Sequence, residues 1–133
     1  MTRRTTILLT SLVLFVSFPV PFTSGAESSR TCALTKVFEC TVKNGCRESS
    51  VREAELPQFI RIDLQDKTIK SLDKNVARVT PFKYVDSVDD MLVLHGTEMR
   101  GWSMAVGEKS GDLTLSASGD GESFVVFGSC ISP

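Results

Sequence analysis

Few residues of this sequence stand in an arrangement that could support nucleophilic catalysis. The segment Gly-Trp-Ser-Met-Ala at residues 101–105 has the form of the G-x-S-x-G turn that exposes a hydrolase serine, with the last glycine replaced by alanine. That turn lies between a strand and a helix, and the catalytic histidine follows the serine in the chain. Here the flanking residues favour strands, and His95, the only histidine, precedes Ser103. A hydrolase is therefore the least favoured function, and we predict no catalytic residue.

Two groups of acidic residues could attract a metal ion. Asp86, Asp89 and Asp90 form one group, and Asp120 and Glu122 form the other. A calcium loop needs alternating Asp or Asn ligands, a central glycine and a distal glutamate, and neither group has this pattern. We interpret both groups as solvent-exposed turns and expect neither a metal ion nor a cofactor.

The four cysteines are better suited to disulfides than to zinc. Cys32, Cys40, Cys46 and Cys130 lack the close C-x2-4-C pairs of zinc sites. An even number of cysteines in a short exported chain indicates two disulfides, for which three pairings are possible. The turn sequence Lys-Asn-Gly at residues 43–45 favours a local Cys40–Cys46 bridge. Cys32 would then pair with Cys130.

Five aromatic side chains could line a ligand cavity. They are Phe82, Tyr84, Trp102, Phe124 and Phe127. We take Trp102, Tyr84, Phe82 and Phe127 as the candidate contacts of a small apolar ligand. The alternative is that these rings fill the core, because a small barrel of eight strands is only just wide enough to hold one small ligand.

The elements that would position these residues are strands. Alternating or β-rich segments, most of them bounded by turn residues, predict strands at residues 31–40, 59–64, 68–72, 76–85, 91–95, 101–106, 112–118 and 123–130. Pro81 interrupts the fourth of these, which predicts an edge strand or a bulge. The Ser-Val-Arg-Glu sequence at residues 50–53 has the form of a capping box, so one or two helical turns or an irregular loop are expected before Pro57. The fold class is therefore all-β, an antiparallel meander of about seven or eight strands, either a small barrel or a sandwich.

Length, charge and the N-terminal segment limit where the chain acts. The 133 residues allow one domain, and the formal net charge of −1 does not suit a nucleic-acid-binding protein. Residues 1–26 have the order of a secretory signal peptide: Arg3 and Arg4, an apolar stretch at residues 7–18, and small residues before a cleavage point after Ala26. Residues 27–133 would form the single β domain. No later segment is long and apolar enough to span a membrane.

Two segments carry a resemblance to other proteins. Residues 56–64 (LPQFIRIDL) and 116–130 (SASGDGESFVVFGSC) resemble segments of small exported, β-rich proteins of proteobacteria. The resemblance implies export, to the periplasm or outside the cell, and a β-rich fold. It carries no catalytic or binding residue over to this chain.

The sequence thus favours a non-enzymatic exported domain that binds a small apolar molecule or a partner protein. The alternative is a structural or inhibitor-type protein of the cell envelope that acts through its loops or a free sheet edge, with residues 76–85 as the candidate edge. A continuous cavity beside Trp102 would favour the first function, and a filled core with an open strand would favour the second.

Overall fold

The computed structural model describes residues 28–131, and this part of the chain is all β. Ten antiparallel strands form one curled, barrel-like sheet, which confirms the predicted fold class. The strands are β1 (Ser29–Thr41), β2 (Gly45–Ser49), β3 (Phe59–Asp63), β4 (Thr68–Ser71), β5 (Val79–Pro81), β6 (Tyr84–Val88), β7 (Met91–Gly96), β8 (Gly101–Gly107), β9 (Asp112–Ser118) and β10 (Glu122–Ile131). The predicted signal peptide, residues 1–26, lies outside the described residues.

Two differences bring the number of strands above the predicted seven or eight. The strand β2 was not predicted, because its sequence Gly-Cys-Arg-Glu-Ser has no apolar alternation. The segment predicted as one strand at residues 76–85 is divided into β5 and β6 by Phe82 and Lys83. Pro81 is the last residue of β5, which lies at one end of the strand order, so the predicted edge position is confirmed.

A two-residue link joins the two end strands of the curled sheet, which do not pair with each other. The strand order is β5-β4-β3-β1-β10-β9-β8-β7-β6, and β2 pairs with β1 beside this path. The strands at the two ends, β5 and β6, are separated in the chain only by Phe82 and Lys83. The N–H of Phe82 donates to the carbonyl of Lys67 (3.0 Å), and the N–H of Lys83 donates to the carbonyl of His95 in β7 (2.9 Å). This short link is therefore hydrogen-bonded to both ends of the sheet.

The inner face of the sheet holds the hydrophobic core. Because successive side chains of a strand point to opposite faces, each strand contributes alternate residues to the interior. The largest fully buried apolar side chains come from six different strands: Val37, Ile62, Leu94, Met104, Val106, Leu113 and Val126. Their burial fixes the register of the strands, since a slip by one residue would turn every apolar side chain to the solvent.

Two disulfides cross-link the sheet, and they have the predicted pairing. Cys32 in β1 is bonded to Cys130 in β10, and Cys40 in β1 is bonded to Cys46 in β2. Each bond joins residues that face each other directly across two paired strands. Disulfides persist in oxidising compartments, so the two bonds indicate an oxidising environment outside the cytoplasm. Within residues 28–131 there is no helix of the length and hydropathy that a membrane-crossing helix requires.

The segment between β2 and β3 contains the predicted capping box. The N–H and Oγ of Ser50 donate to Oε2 of Glu53 (2.9 and 2.8 Å), and the N–H of Glu53 donates to Oγ of Ser50 (3.2 Å). The first two bonds lower the pKa of Glu53 below its ordinary value of 4.5. The N–H of Ala54 donates to the carbonyl of Ser50, which completes a single turn. This turn places Val51, Ala54 and Leu56 against the core.

Candidate functional site

A cavity of about 340 Å³ lies at one end of the curled sheet. One wall comes from β8, β9 and β10, and a second comes from β1, β3, β4 and β5. The first wall consists of Trp102, Met104, Leu115, Ala117, Phe124 and Val126; the second consists of Leu34, Ile60, Ile69, Ser71 and Thr80. The residues of both walls are mostly apolar, so water in this space would find few hydrogen-bond partners there.

The register of β7 to β10 explains why this end of the barrel is open. Gly96, Trp102, Ala117 and Phe124 face one another in sequence across these four strands, so they form one row on the inner face. Large and small side chains alternate along this row. A side chain at Gly96 would overlap the indole ring of Trp102, so the indole lies over Gly96 and leans away from Ala117. Space is therefore left above Ala117, between the two aromatic residues.

The next row lies deeper in the barrel and contains three residues of the first wall, Met104, Leu115 and Val126. It consists of Leu94, Met104, Leu115, Val126 and Val37, which face one another across β7, β8, β9, β10 and β1. All except Leu115 are buried, and Leu115 is half-buried. This deeper row therefore exposes the side chain of Leu115 to the cavity, next to the space above Ala117.

Two segments border the mouth of the cavity. Glu55, Leu56 and Pro57 belong to the turn that the capping box starts, and Glu98, Met99 and Arg100 connect β7 to β8. Glu55 has φ of 53° and Met99 has φ of 61°, in the left-handed region that residues other than glycine adopt uncommonly. Met99 is 82% exposed although it borders the cavity. The mouth therefore has strained backbone on two segments, as ligand clamps often do.

Charges of opposite sign balance at the mouth. The charged residues that line the cavity are Glu55, Arg78, Glu98 and Arg100. Arg100 also forms an ion pair with Glu122 through its Nη1 and Oε1 atoms (2.7 Å), and its Cζ lies 4.7 Å from the centroid of the Phe124 ring. The guanidinium is therefore fixed at the rim, and the lining as a whole has no single-sign field that would select an ionic ligand.

The structure places the four predicted ligand contacts in three different environments. Trp102 lines the cavity. Phe82 is buried in the core and is not among the lining residues. Tyr84 and Phe127 are 65% and 40% exposed, and both face outwards, because each pairs with an outward residue of the neighbouring strand. Their role as ligand contacts stays a prediction.

Two further lining residues follow from a pattern already present in the sequence. The alternation of residues 112–118 places Leu113, Leu115 and Ala117 on one face, and two of them border the cavity. Phe124 borders it as well. The sequence does not reveal that Trp102 and Phe124 flank the small Ala117, because this arrangement depends on the register of three strands.

The candidate nucleophile and the only histidine are neighbours on the outer face. Ser103 in β8 and His95 in β7 face each other directly. Ser103 lies in the middle of a strand, without the sharp strand-to-helix turn that exposes a catalytic serine. Among the described residues no hydrogen bond joins the two side chains, and neither residue lines the 340 Å³ cavity. The pair therefore lacks the geometry of an activated nucleophile.

The first acidic group contains a hairpin turn and an ion pair. Asp89 and Asp90 form the two-residue turn between β6 and β7, with φ of 48° and 61°, as a tight type I′ hairpin turn requires. Asp90 pairs with Lys109 (2.6 Å). In the part of the chain that the structure describes, no three His, Cys, Asp or Glu residues come together as a metal site would require.

Comparisons with models of known protein families, with curated proteins and with solved structures found no match to this chain.

Proposed function

We propose that this protein is a non-enzymatic exported binding module that holds one small apolar molecule in the cavity at the end of its sheet. The observation that carries the proposal is the cavity of about 340 Å³ between two largely apolar walls. This volume lies within the range of roughly 300–1,000 Å³ that is usual for small-molecule sites. The charged side chains at the mouth, among them the fixed Arg100, give the site a few polar groups around an apolar interior, which is the usual composition of such sites.

A cavity-filling substitution tests the proposal. Ala117→Phe would place a ring in the space between Trp102 and Phe124, while Ser116→Phe would place the same ring on the outer face of the same strand. The ligand probe is N-phenyl-1-naphthylamine, an uncharged dye whose emission rises in apolar surroundings. We expect saturable binding to the wild type and to Ser116→Phe, and a loss of binding of at least tenfold in Ala117→Phe.

Equal binding of the dye to all three proteins would contradict the proposal, and so would the absence of any saturable binding to the wild type. Ala117→Leu is a smaller filling variant that keeps the test valid if Ala117→Phe does not fold. Circular dichroism and the absence of free thiols would establish that each variant has the native sheet and both disulfides.

A second candidate function is protein binding through β6. This strand lies at one end of the strand order, its five residues are all exposed, and in the described part of the chain it pairs only with β7. The tight turn at Asp89 and Asp90 makes Val88 and Met91 a hydrogen-bonded pair, so by alternation the N–H groups of Val85 and Ser87 point to the free edge. An extended segment of a partner protein could add there as a further strand.

Ser87→Pro tests this second function, because it removes one N–H from the free edge and none from the ladder with β7. Ser87→Ala is the matched control, since it keeps the N–H. A partner purified with the protein from its exported fraction should bind Ser87→Ala as tightly as the wild type and Ser87→Pro at least tenfold more weakly. Equal binding of both variants would exclude this edge.

The proposed location is the periplasm or the medium outside the cell. The two disulfides support it, since disulfides form and persist in oxidising compartments. Mass spectrometry of the exported protein should give a chain that begins at Glu27, with both bonds formed. A chain that retains residues 1–26 in the cytoplasm would contradict this location.

A further inference from the structure

The wall formed by β8, β9 and β10 has a shape that selects among apolar ligands. Trp102 and Phe124 stand on the two sides of Ala117, each one strand away from it. Since neighbouring strands are about 4.8 Å apart, roughly 10 Å separates the backbones that carry the two aromatic side chains. A ring placed midway would lie about 5 Å from each of the two backbones, with the side chains of Trp102 and Phe124 on either side of it.

The side chains around this slot keep it open. The indole of Trp102 leans over Gly96, away from the slot, because Gly96 has no side chain to prevent it. Ala117 is the smallest side chain that an L-residue can place at the base of the slot, and it is nearly buried there (9% exposed). Leu115 supplies a half-buried aliphatic surface one row deeper. The slot is therefore bordered by two aromatic side chains and closed at its base.

Arg100 provides directional donors at the mouth of the slot. Arg100 lies two residues before Trp102 in the chain. Its guanidinium extends past Ala117 to Phe124 and Glu122 on β10. A guanidinium has five N–H donors, and the contact with Glu122 uses only one of its nitrogen atoms. Because Glu122 already neutralises the charge of Arg100, these donors suit an uncharged oxygen acceptor better than an anion.

The volume limits the size of the ligand. An apolar cavity of about 150 Å³ holds one benzene ring. The cavity here, about 340 Å³, is roughly twice as large. We infer that the site binds an uncharged, flat aromatic molecule of about two rings that lies between Trp102 and Phe124 and presents one oxygen acceptor to Arg100. This inference rests on the proposed function and names its ligand class.

A matched set of four probes tests the ligand class by isothermal titration calorimetry with the disulfide-bonded protein. The probe 2-acetylnaphthalene represents the expected ligand, and 2-ethylnaphthalene is its analogue without an oxygen acceptor. The other two probes are 2-naphthoate, the anionic analogue, and 2-decanone, an aliphatic ketone. We expect 2-acetylnaphthalene to bind most tightly. The loss of one hydrogen bond should weaken 2-ethylnaphthalene by roughly 3- to 10-fold.

A variant assigns that difference to Arg100. Arg100→Lys keeps the charge beside Glu122 but loses the planar set of donors. It should reduce the preference for 2-acetylnaphthalene over 2-ethylnaphthalene to less than twofold. An undiminished preference would overturn the role of Arg100.

The remaining outcomes separate this inference from the proposed function. Tighter binding of 2-decanone than of 2-acetylnaphthalene would overturn the aromatic ligand class while a binding cavity stands. Tighter binding of 2-naphthoate would overturn the uncharged ligand class in the same way. If none of the four probes bound, and the uncharged dye also failed to bind, the proposed function itself would fail.

Discussion

The two disulfides should contribute very differently to stability, although both lie on β1. We compare Cys32→Ala/Cys130→Ala with Cys40→Ala/Cys46→Ala, each with the other bond intact. The two bonds close loops with sequence separations of 98 and 6 residues. A disulfide stabilises mainly by restricting the unfolded chain, and this effect grows with the logarithm of the loop length.

The loop lengths set the expected magnitudes. The chain-entropy relation gives about 4.7 kcal/mol for the Cys32–Cys130 bond and about 2.2 kcal/mol for the Cys40–Cys46 bond. Loss of the first should therefore lower the free energy of unfolding by about 2.5 kcal/mol more than loss of the second. The register between β1 and β10 is specified by many other pairs along their length, so both variants should keep the native fold.

Guanidinium chloride unfolding measures both losses. The emission of Trp102, the only tryptophan, reports the transition. Linear extrapolation gives the free energy of unfolding in water. Equal losses in the two variants, or a larger loss on removal of Cys40–Cys46, would refute the argument from loop length.

Three further substitutions test individual contacts. Gly96→Ala should displace the indole of Trp102, shift its emission and destabilise the fold by about 1–3 kcal/mol, and an unchanged emission spectrum would contradict the packing of the indole on this glycine. Gly111→Ala should destabilise at least as much, because residue 111 has φ of 76° and a Cβ there would overlap a backbone carbonyl of β10; a loss in urea unfolding no greater than a typical surface substitution would argue against it. Glu53→Ala should lower stability at neutral pH and lose this effect in acid. The hydrogen bonds from Ser50 hold the folded-state pKa of Glu53 below its ordinary value of 4.5. The stabilisation by Glu53 is therefore present above pH 4.5 and disappears as the pH falls through the folded-state pKa. Thermal melts across this pH range check it, and a deficit that persists at the lowest pH would contradict it.

Local patterns in the sequence were enough to predict most of the strands. The alternation of residues 112–118 matches β9, and Pro81 lies on an edge strand because it lacks the N–H that a central strand needs. The turn before Cys46 brings it beside Cys40, and this local closure made the pairing of all four cysteines predictable. The strand β2 was missed because its residues are nearly all exposed and it is held by hydrogen bonds to β1 rather than by an apolar face.

The candidate site depends on register, which the sequence does not show. Nothing in the order of residues indicates that Gly96, Trp102, Ala117 and Phe124 share one row, since they lie on four strands joined by turns of different lengths. The outward orientation of Tyr84 has a similar cause. Phe82 and Lys83 link β5 to β6, and the residue at which β6 begins decides whether Tyr84 faces inwards or outwards.

The central claim is that the cavity beside Ala117 is a ligand site, and methyl NMR tests it most directly. Val125 and Val126 are consecutive residues of β10 that face outwards and inwards, so their methyl groups form a built-in comparison. On titration with 2-acetylnaphthalene the methyl signals of Leu115, Ala117 and Val126 should shift and show contacts with the naphthyl protons, while those of Val125 stay unchanged. Contacts at Val125 with none at the three inward residues would place the probe on the outer face and contradict the claim.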